Sequence, residues 1–233
     1  MKMKKVSLFL FSLLLVGCSN ITVLDPKSET GKDQAYLIWF SLALMSIVIL
    51  VVFILFTWFI IRYRYTKERQ NVIPKDVKGN LKLELTYTIL PILLLIVLAV
   101  PTIKITMHQS PSTEAAQEKG TQIDVTAKQF EWNFEHENDK EVTDELIVPE
   151  QEPIVLHLQS ADVIHSFWVP ELAGKVDVFP NKELTYVIEK PEKGTYKGKC
   201  AEFCGVQHTD MTFTVKVVSE EDYDEYLHSE KHE

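Results

Sequence analysis

A two-helix transmembrane hairpin followed by an all-β sandwich is the fold this sequence predicts, and three observations predict it. Two long uncharged apolar stretches occupy residues 34–61 and 85–103. Charge is unevenly divided: residues 1–106 carry 13 basic and 6 acidic side chains (+7), residues 107–233 carry 11 basic and 27 acidic (−16). The second half breaks into short alternating segments between turns rich in Pro, Gly and charge. Mean hydropathy near zero and 46% apolar content hide this division. The averages resemble those of an ordinary globular chain because two halves suited to different surroundings cancel. The acidic half holds eleven Lys and no Arg, which sets nucleic acid aside as a partner. Three cysteines, Cys18, Cys200 and Cys204, are an odd number with one close pair, so a disulfide framework is excluded.

Residues 1–17 read as an export signal: Lys2, Lys4 and Lys5, an apolar run from Val6 to Val16, then Gly17. The run is too short to span a bilayer. Leu15-Val16-Gly17-Cys18 resembles the lipobox of bacterial lipoproteins, which makes Cys18 the expected lipidation site and the first residue of the mature chain. The acyl groups would add a lipid anchor beside the spans.

Residues 18–106 form the N-terminal segment with the two transmembrane helices, about 34–61 and 85–103. A hydrocarbon core of about 30 Å needs roughly 20 apolar residues in a helix, so stretches of 28 and 19 uncharged residues both suffice. Trp39 near one end and Trp58-Phe59 near the other suit the interfacial aromatic belt. The connection holds Arg62, Arg64, Lys67, Arg69, Lys75, Lys78 and Lys82 against Glu68 and Asp76, and the positive-inside rule makes it cytoplasmic. Both termini, and with them the polar half, then lie outside, as an export signal requires. Glu84 stands at the cytoplasmic edge of the second span, where a carboxylate can serve simply as a cap-region or snorkelling group. Pro91 and Pro101 each remove a backbone donor from that span.

Residues 107–120, with Pro111 and Gly120, read as a linker. Strands are expected at 121–127, 153–158, 163–169, 183–188, 195–199 and 211–218, a spacing that indicates a β-sandwich or barrel of about 100 residues over 121–218. Residues 219–233 carry seven Asp/Glu in fifteen and read as an acidic, solvated tail, with Tyr223, Tyr226 and Leu227 allowing a short helix.

The chemistry concentrates in residues 200–211, Cys-Ala-Glu-Phe-Cys-Gly-Val-Gln-His-Thr-Asp-Met. Cys200, Cys204, His208 and Met211 form a soft sulfur and nitrogen set that selects copper over calcium or magnesium. A single Cys with two His and a weak Met would suggest one blue copper. Two thiolates let both sulfurs bridge a pair of coppers, each then needing one His and one weak ligand. His165, in Asp162-Val163-Ile164-His165-Ser166-Phe167-Trp168-Val169-Pro170, is the best second imidazole because it lies in a strand-to-loop stretch of the same domain. A tetrahedral zinc site of two Cys and two His is the competing reading, and it leaves Met211 without a role.

These motifs, with two spans ahead of them, resemble the cytochrome c oxidase subunit II family of haem-copper oxidases, whose outer domain is a cupredoxin-like sandwich holding a dinuclear copper centre, CuA. The resemblance covers nearly the whole mature chain. It implies that His165 and His208 each bind one copper, that Cys200 and Cys204 bridge both, that Met211 is a weak ligand to one, and that Glu202 ligates the other through its main-chain carbonyl. It also implies that the Glu202 side chain binds magnesium at the interface with subunit I, that Asp177 belongs to a water network near that ion, and that Glu84 holds the mouth of a proton channel shared with subunit I. The expected function is to accept electrons from cytochrome c and pass them to haem in subunit I, for oxygen reduction coupled to proton pumping in a bacterial cell membrane. Subunit I and subunit III are the expected partners beside membrane lipid.

Two departures from the family pattern bear on detail. Where many members carry a Trp as first electron acceptor, Lys128-Gln129-Phe130-Glu131-Trp132 offers Phe130 with Trp132 two residues later, so the electron could arrive at either. Glu131, Glu135, Glu137, Asp139 and Glu141 cluster there and would steer a basic cytochrome. The usual Ile-Pro-Gly turn is Phe179-Pro180-Asn181, which Asn fits if its φ is positive. The alternatives are a copper-free quinol oxidase subunit II, which should lack the Cys/His/Met set, and a copper-delivery lipoprotein, which needs no second span with an edge carboxylate.

Overall fold

The computed structural model describes residues 21–67, 73, 76, 78–109, 120–137 and 140–229. The export signal, Cys18 and most of the expected linker lie outside the described residues. The chain divides into two compact units, Asp33–Glu114 on one side and Met1–Lys32 with Ala115–Glu233 on the other.

The helical unit contains α1 (Glu29–Tyr63) from Asp33 onward and all of α2 (Leu81–His108), and each helix extends beyond the uncharged stretch that announced it. The extra turns hold Glu29, Lys32, Asp33 and Arg62 on α1, and Lys82, Glu84 and Lys104 on α2. With a 1.5 Å rise per residue α1 is about 52 Å long, more than the hydrocarbon core requires. Asn80 caps α2, its Oδ1 accepting the N–H groups of Lys82 (3.1 Å) and Leu83 (3.4 Å). Glu84 falls in the first turn, where the helix dipole favours a carboxylate. Pro91 and Pro101 sit inside α2 without ending it. Gln34 Nε2 donates to Gln109 Oε1 at 3.1 Å, joining the start of α1 to the end of α2 in an antiparallel hairpin.

The second unit is a sandwich of two five-stranded sheets. One has the order β3-β2-β1-β5-β8 and comprises β1 (Thr121–Lys128), β2 (Glu131–His136), β3 (Glu141–Thr143), β5 (Ile154–Ser160) and β8 (Leu184–Ile188). The other has the order β4-β10-β9-β6-β7, from β4 (Glu145–Pro149), β6 (His165–Trp168), β7 (Val176–Val178), β9 (Gly194–Cys200) and β10 (Thr212–Val218). β1 pairs in parallel with β5 and β10 in parallel with β4; the remaining pairs are antiparallel. Period-2 alternation turns Ile123, Val125, Trp132, Phe134, Leu156, Phe167, Phe213 and Val215 inward to form the core.

Four strands, β2, β3, β4 and β7, were not expected from the sequence. Charged outward residues break the apolar run of β2, and β3 and β7 are three residues each, too short for periodicity to show. The turn at Phe179-Pro180-Asn181 is closed by a Phe179–Lys182 bridge, and Asn181 is not among the non-glycine residues of positive φ, which among the described residues are Asp144, Gln151 and Lys190.

Two flanking segments complete the sandwich. Residues 25–32 stitch together the loop after β6 and the turn between β8 and β9. The Lys27 N–H donates to Glu171 O (2.7 Å), the Glu192 N–H to Lys27 O (2.8 Å) and the Glu29 N–H to Glu189 O (3.0 Å). Ser28, fully buried, donates to Leu172 O, while the Glu189 N–H donates to Thr30 Oγ1 at 2.9 Å. At the other end, residues 220–228 form α3 (Glu220–His228), capped by Ser219, with Tyr223 buried. The expected solvated tail is therefore, over these residues, a docked helix. His136 Nδ1 lies 3.1 Å from the Tyr223 hydroxyl, and the buried Lys140 ammonium donates to Tyr226 O at 2.6 Å and sits 3.9 Å from the Tyr226 ring centroid.

Candidate metal centre

The donors expected from the sequence come from three places in the sandwich. His165 opens β6, Cys200 ends β9, and Met211 immediately precedes β10; Cys204 and His208 ride on the loop between. Pairing Phe167 with Cys200 brings the start of β6 beside the end of β9 and lets one loop meet the histidine.

The sulfur atoms of Cys200 and Cys204 are 3.8 Å apart. His165 Nδ1 lies 3.8 Å from Cys200 Sγ, and His208 Nδ1 lies 3.5 Å from Cys204 Sγ. Met211 Sδ is 3.7 Å from Cys204 Sγ, and the Glu202 carbonyl oxygen is 3.2 Å from Cys200 Sγ. Each thiol thus has one imidazole nitrogen and one weak donor beside it. His165, Cys200, Cys204 and Met211 are all buried, and His208 is half-buried. The six donors suit a pair of soft metal ions: two sulfurs between, a nitrogen at each end, and the thioether and the carbonyl oxygen completing the set. A single tetrahedral zinc would use four of these donors and leave the other two idle.

Sequence reasoning gave no role to Asp162. Its Oδ1 accepts from His165 Nε2 at 2.8 Å, which fixes the tautomer that leaves Nδ1 bare toward Cys200. The Asp162 carboxylate also accepts the N–H of Gln129 (2.8 Å) and of Val163 (2.6 Å). Burial opposes its charge, but these donors together hold the carboxyl below its ordinary range. The signal was present in the sequence as an Asp three residues before the His. Gln129 is a second unanticipated contributor, its Nε2 donating to the Cys204 carbonyl.

Burial, with Cys200 beside it, pushes the Cys204 thiol up to about 11, so metal must displace its proton. Gly205 is required by the loop. Its φ is +141°, and a Cβ there would come within 2.9 Å of Gln129 Nε2 and 3.0 Å of the Phe130 ring.

Phe130 is half-buried against this glycine. Trp132 is fully buried, with its ring centroid 6.2 Å from His165, 5.6 Å from Phe167 and 5.4 Å from Phe213. Of the two expected electron-entry residues, Trp132 does not reach the surface: β alternation turns it into the core and Glu131 toward solvent. Glu135, Glu137 and Glu141 are exposed, and Asp139 lies outside the described residues. The Glu202 side chain and Asp177 on β7 are exposed, and Glu84 belongs to the helical unit.

Comparison with known proteins yields consistent matches. The family described as cytochrome c oxidase subunit II, periplasmic domain, matches residues 121–218, and the transmembrane domain of the same description matches residues 20–105. The chain is 38% identical over 223 residues to a cytochrome c oxidase subunit 2 of Alkalihalophilus pseudofirmus, covering 93% of this chain and 65% of that one. It is 34% identical over 224 residues to a quinol oxidase subunit 2 of Bacillus spizizenii, covering 94% and 70%. It therefore spans about two thirds of the length of these relatives. Among solved structures, the periplasmic domain of subunit II of cytochrome oxidase of Bradyrhizobium japonicum aligns with a TM-score of 0.45 and 24% identity, over 47% of this chain and 92% of that one.

Proposed function

The chain belongs to the cytochrome c oxidase subunit II family, and from that membership we propose that it is the electron-accepting subunit of a membrane terminal oxidase that takes electrons from a cytochrome c. Relatives named for cytochrome c and for quinol both match, so the donor has to be argued from the site. One observation carries the choice: six donors of the dicopper type, none missing, converge around two cysteine sulfurs 3.8 Å apart. A copper-free quinol oxidase subunit has no use for this set.

His165, Cys200, the Glu202 carbonyl, Cys204, His208 and Met211 would hold the two coppers, and the pair when bound supplies a one-electron carrier. The chain's own residues do the rest. Asp162 orients His165, Gly205 and Gln129 set the loop, and the aromatic cluster of Trp132, Phe167 and Phe213 keeps water from one side of the ligands. Geometry fixed before and after electron transfer lowers the rearrangement each step needs. We place the arriving electron at Phe130, which packs against the ligand loop, and assign magnesium to the Glu202 carboxylate facing subunit I, with subunit III completing the complex. The copper domain faces outward, with Cys18 lipidated. Glu84 serves as the mouth of the proton channel: Glu84→Gln should slow turnover while leaving copper content intact, and unchanged turnover across pH returns it to a helix-cap role.

The deciding experiment supplies the purified oxidase with reduced cytochrome c or with a quinol. Oxygen consumption with cytochrome c alone supports the reading. Turnover with quinol alone, in a complex whose subunit II lacks copper, overturns it.

A further inference from the structure

Residues 25–32 meet the sandwich at two loops whose shape is set from inside it. In the loop after β6, the N–H groups of Leu172 and Ala173 both donate to Val169 O at 2.9 Å, and both side chains are buried in the core. The carbonyls of Glu171 and Leu172 then accept from the N-terminal segment, through the Lys27 N–H and the Ser28 hydroxyl. In the turn between β8 and β9, the Tyr196 hydroxyl donates to Glu192 O at 2.6 Å and the Gln151 N–H to Pro191 O at 3.0 Å. The same turn gives the Glu192 N–H to Lys27 O, while Glu189 accepts the Glu29 N–H and donates its own N–H to Thr30 Oγ1.

Five hydrogen bonds thus join the segment to the two loops, and Ser28, Thr30 and Gly31 are buried where they do so. The fit is close: a Cβ on Gly31 would come within 3.1 Å of the Glu171 carbonyl oxygen. The flanking pairs Lys32–Glu192 and Lys190–Glu29 are exposed and add little. Because the receiving loops are held by the sandwich itself, binding the segment does not have to order them. The last four residues of the segment, Glu29–Lys32, are the first turn of α1; they group with the sandwich, and the helix continues from Asp33 as the first span.

We propose that this contact is a second attachment of the sandwich to the membrane hairpin, strong enough to hold the domain when the linker at 107–120 is cut. The chain joins hairpin to sandwich covalently after α2, and the strap of residues 25–32 joins them again through the start of α1. While the linker is intact the strap works at an effective concentration on the order of 1 mM, and cutting removes that help. The contact must then stand on its five hydrogen bonds and its burial. A domain attached at two places has fewer arrangements open to it than one on a linker alone, which lowers the ordering cost when other subunits bind. None of the six metal donors takes part, so the attachment is independent of the function proposed above.

The test uses the full chain, made without other oxidase subunits, with a protease recognition sequence inserted after Ala116. After complete cleavage in isolated membranes, the piece carrying the sandwich should stay with the membrane through a wash in roughly 1 M salt, where the Debye length is about 3 Å and exposed ion pairs are screened. Denaturant should release it. Ser28→Ala/Thr30→Val removes two of the five hydrogen bonds and leaves their buried partners unmet, so release should speed up roughly 100-fold, with the far-ultraviolet circular dichroism of the uncut chain unchanged. Gly31→Val, which sets a side chain against the Glu171 carbonyl, should release the piece as well; if it does not accumulate, the Ser28/Thr30 pair carries the same comparison. Release of the unmutated piece on cutting overturns the proposal. So does equal retention in the variants, because some other contact then holds the domain. Absence of copper from the same samples is a different outcome: it removes the function proposed above and leaves the attachment to be judged by release alone.

Discussion

His165 offers one ring nitrogen to Asp162 and the other to Cys200, and that division of labour is the smallest unit of the proposed function. A carboxylate behind a metal-binding imidazole fixes its tautomer and raises its basicity. Asp162→Asn keeps the size of the side chain but removes its charge. Copper affinity, measured by competition with a chelator, should fall roughly 10- to 100-fold, with far-ultraviolet circular dichroism unchanged. Affinity equal to the unmutated chain would show that Asp162 only shapes the loop. The ligands themselves were legible in the sequence because four of them fall within twelve residues. Gln129 was not legible because its contact with Cys204 depends on the end of β1 meeting the ligand loop in space, whereas Asp162, three residues before His165, was there to be read. Trp132 shows the converse: an aromatic among acidic residues looks exposed until β alternation turns it inward.

At the scale of elements, the two flanking segments explain why the domain cannot be read from its strands alone. The sandwich was legible where long alternating runs such as Thr121–Lys128 and Thr212–Val218 have turns at their ends. The stitching by residues 25–32 was illegible because it is made by backbone groups and two small hydroxyls 140 or more residues from their partners in sequence. Ser28→Ala leaves the Leu172 carbonyl and the Gly31 N–H without their buried partner. The domain should lose about 1–3 kcal/mol, read as a lower denaturant midpoint of the full chain in detergent. No loss would mean that the segment lies against the domain without supporting it. At the other end, burial and the nearby Lys140 ammonium push His136 down to about 4, because the charged imidazole has no place under α3. An unfolded histidine titrates near 6.5, so the unfolded chain binds the proton first as pH falls. Stability from neutral His136 is complete above about pH 6.5 and drains away toward pH 4, by up to about 3 kcal/mol. His136→Phe should flatten this part of the curve of melting temperature against pH. An unchanged slope between pH 6.5 and 4 would assign the loss to the carboxylates alone.

For the whole molecule, the contrast between +7 and −16 in the two halves of the sequence foretold a membrane part and a water-exposed part, and the structure adds how the negative half is arranged. Strand pairing sets Asp124, Glu135 and Glu141 in one exposed row on the β3-β2-β1-β5-β8 sheet, where their carboxylates make the local potential negative. Sequence counts give net charge but not which face bears it, since that follows from strand pairing. All of this presupposes that the six donors hold two coppers as one carrier. Metal analysis and electron paramagnetic resonance on the copper-loaded full chain test that directly. The account predicts two coppers per chain and one unpaired electron spread over both nuclei, a signature that Cys200→Ser or Cys204→Ser abolishes. One copper per chain with an intense blue band, or one tetrahedral zinc that copper does not displace, would contradict it.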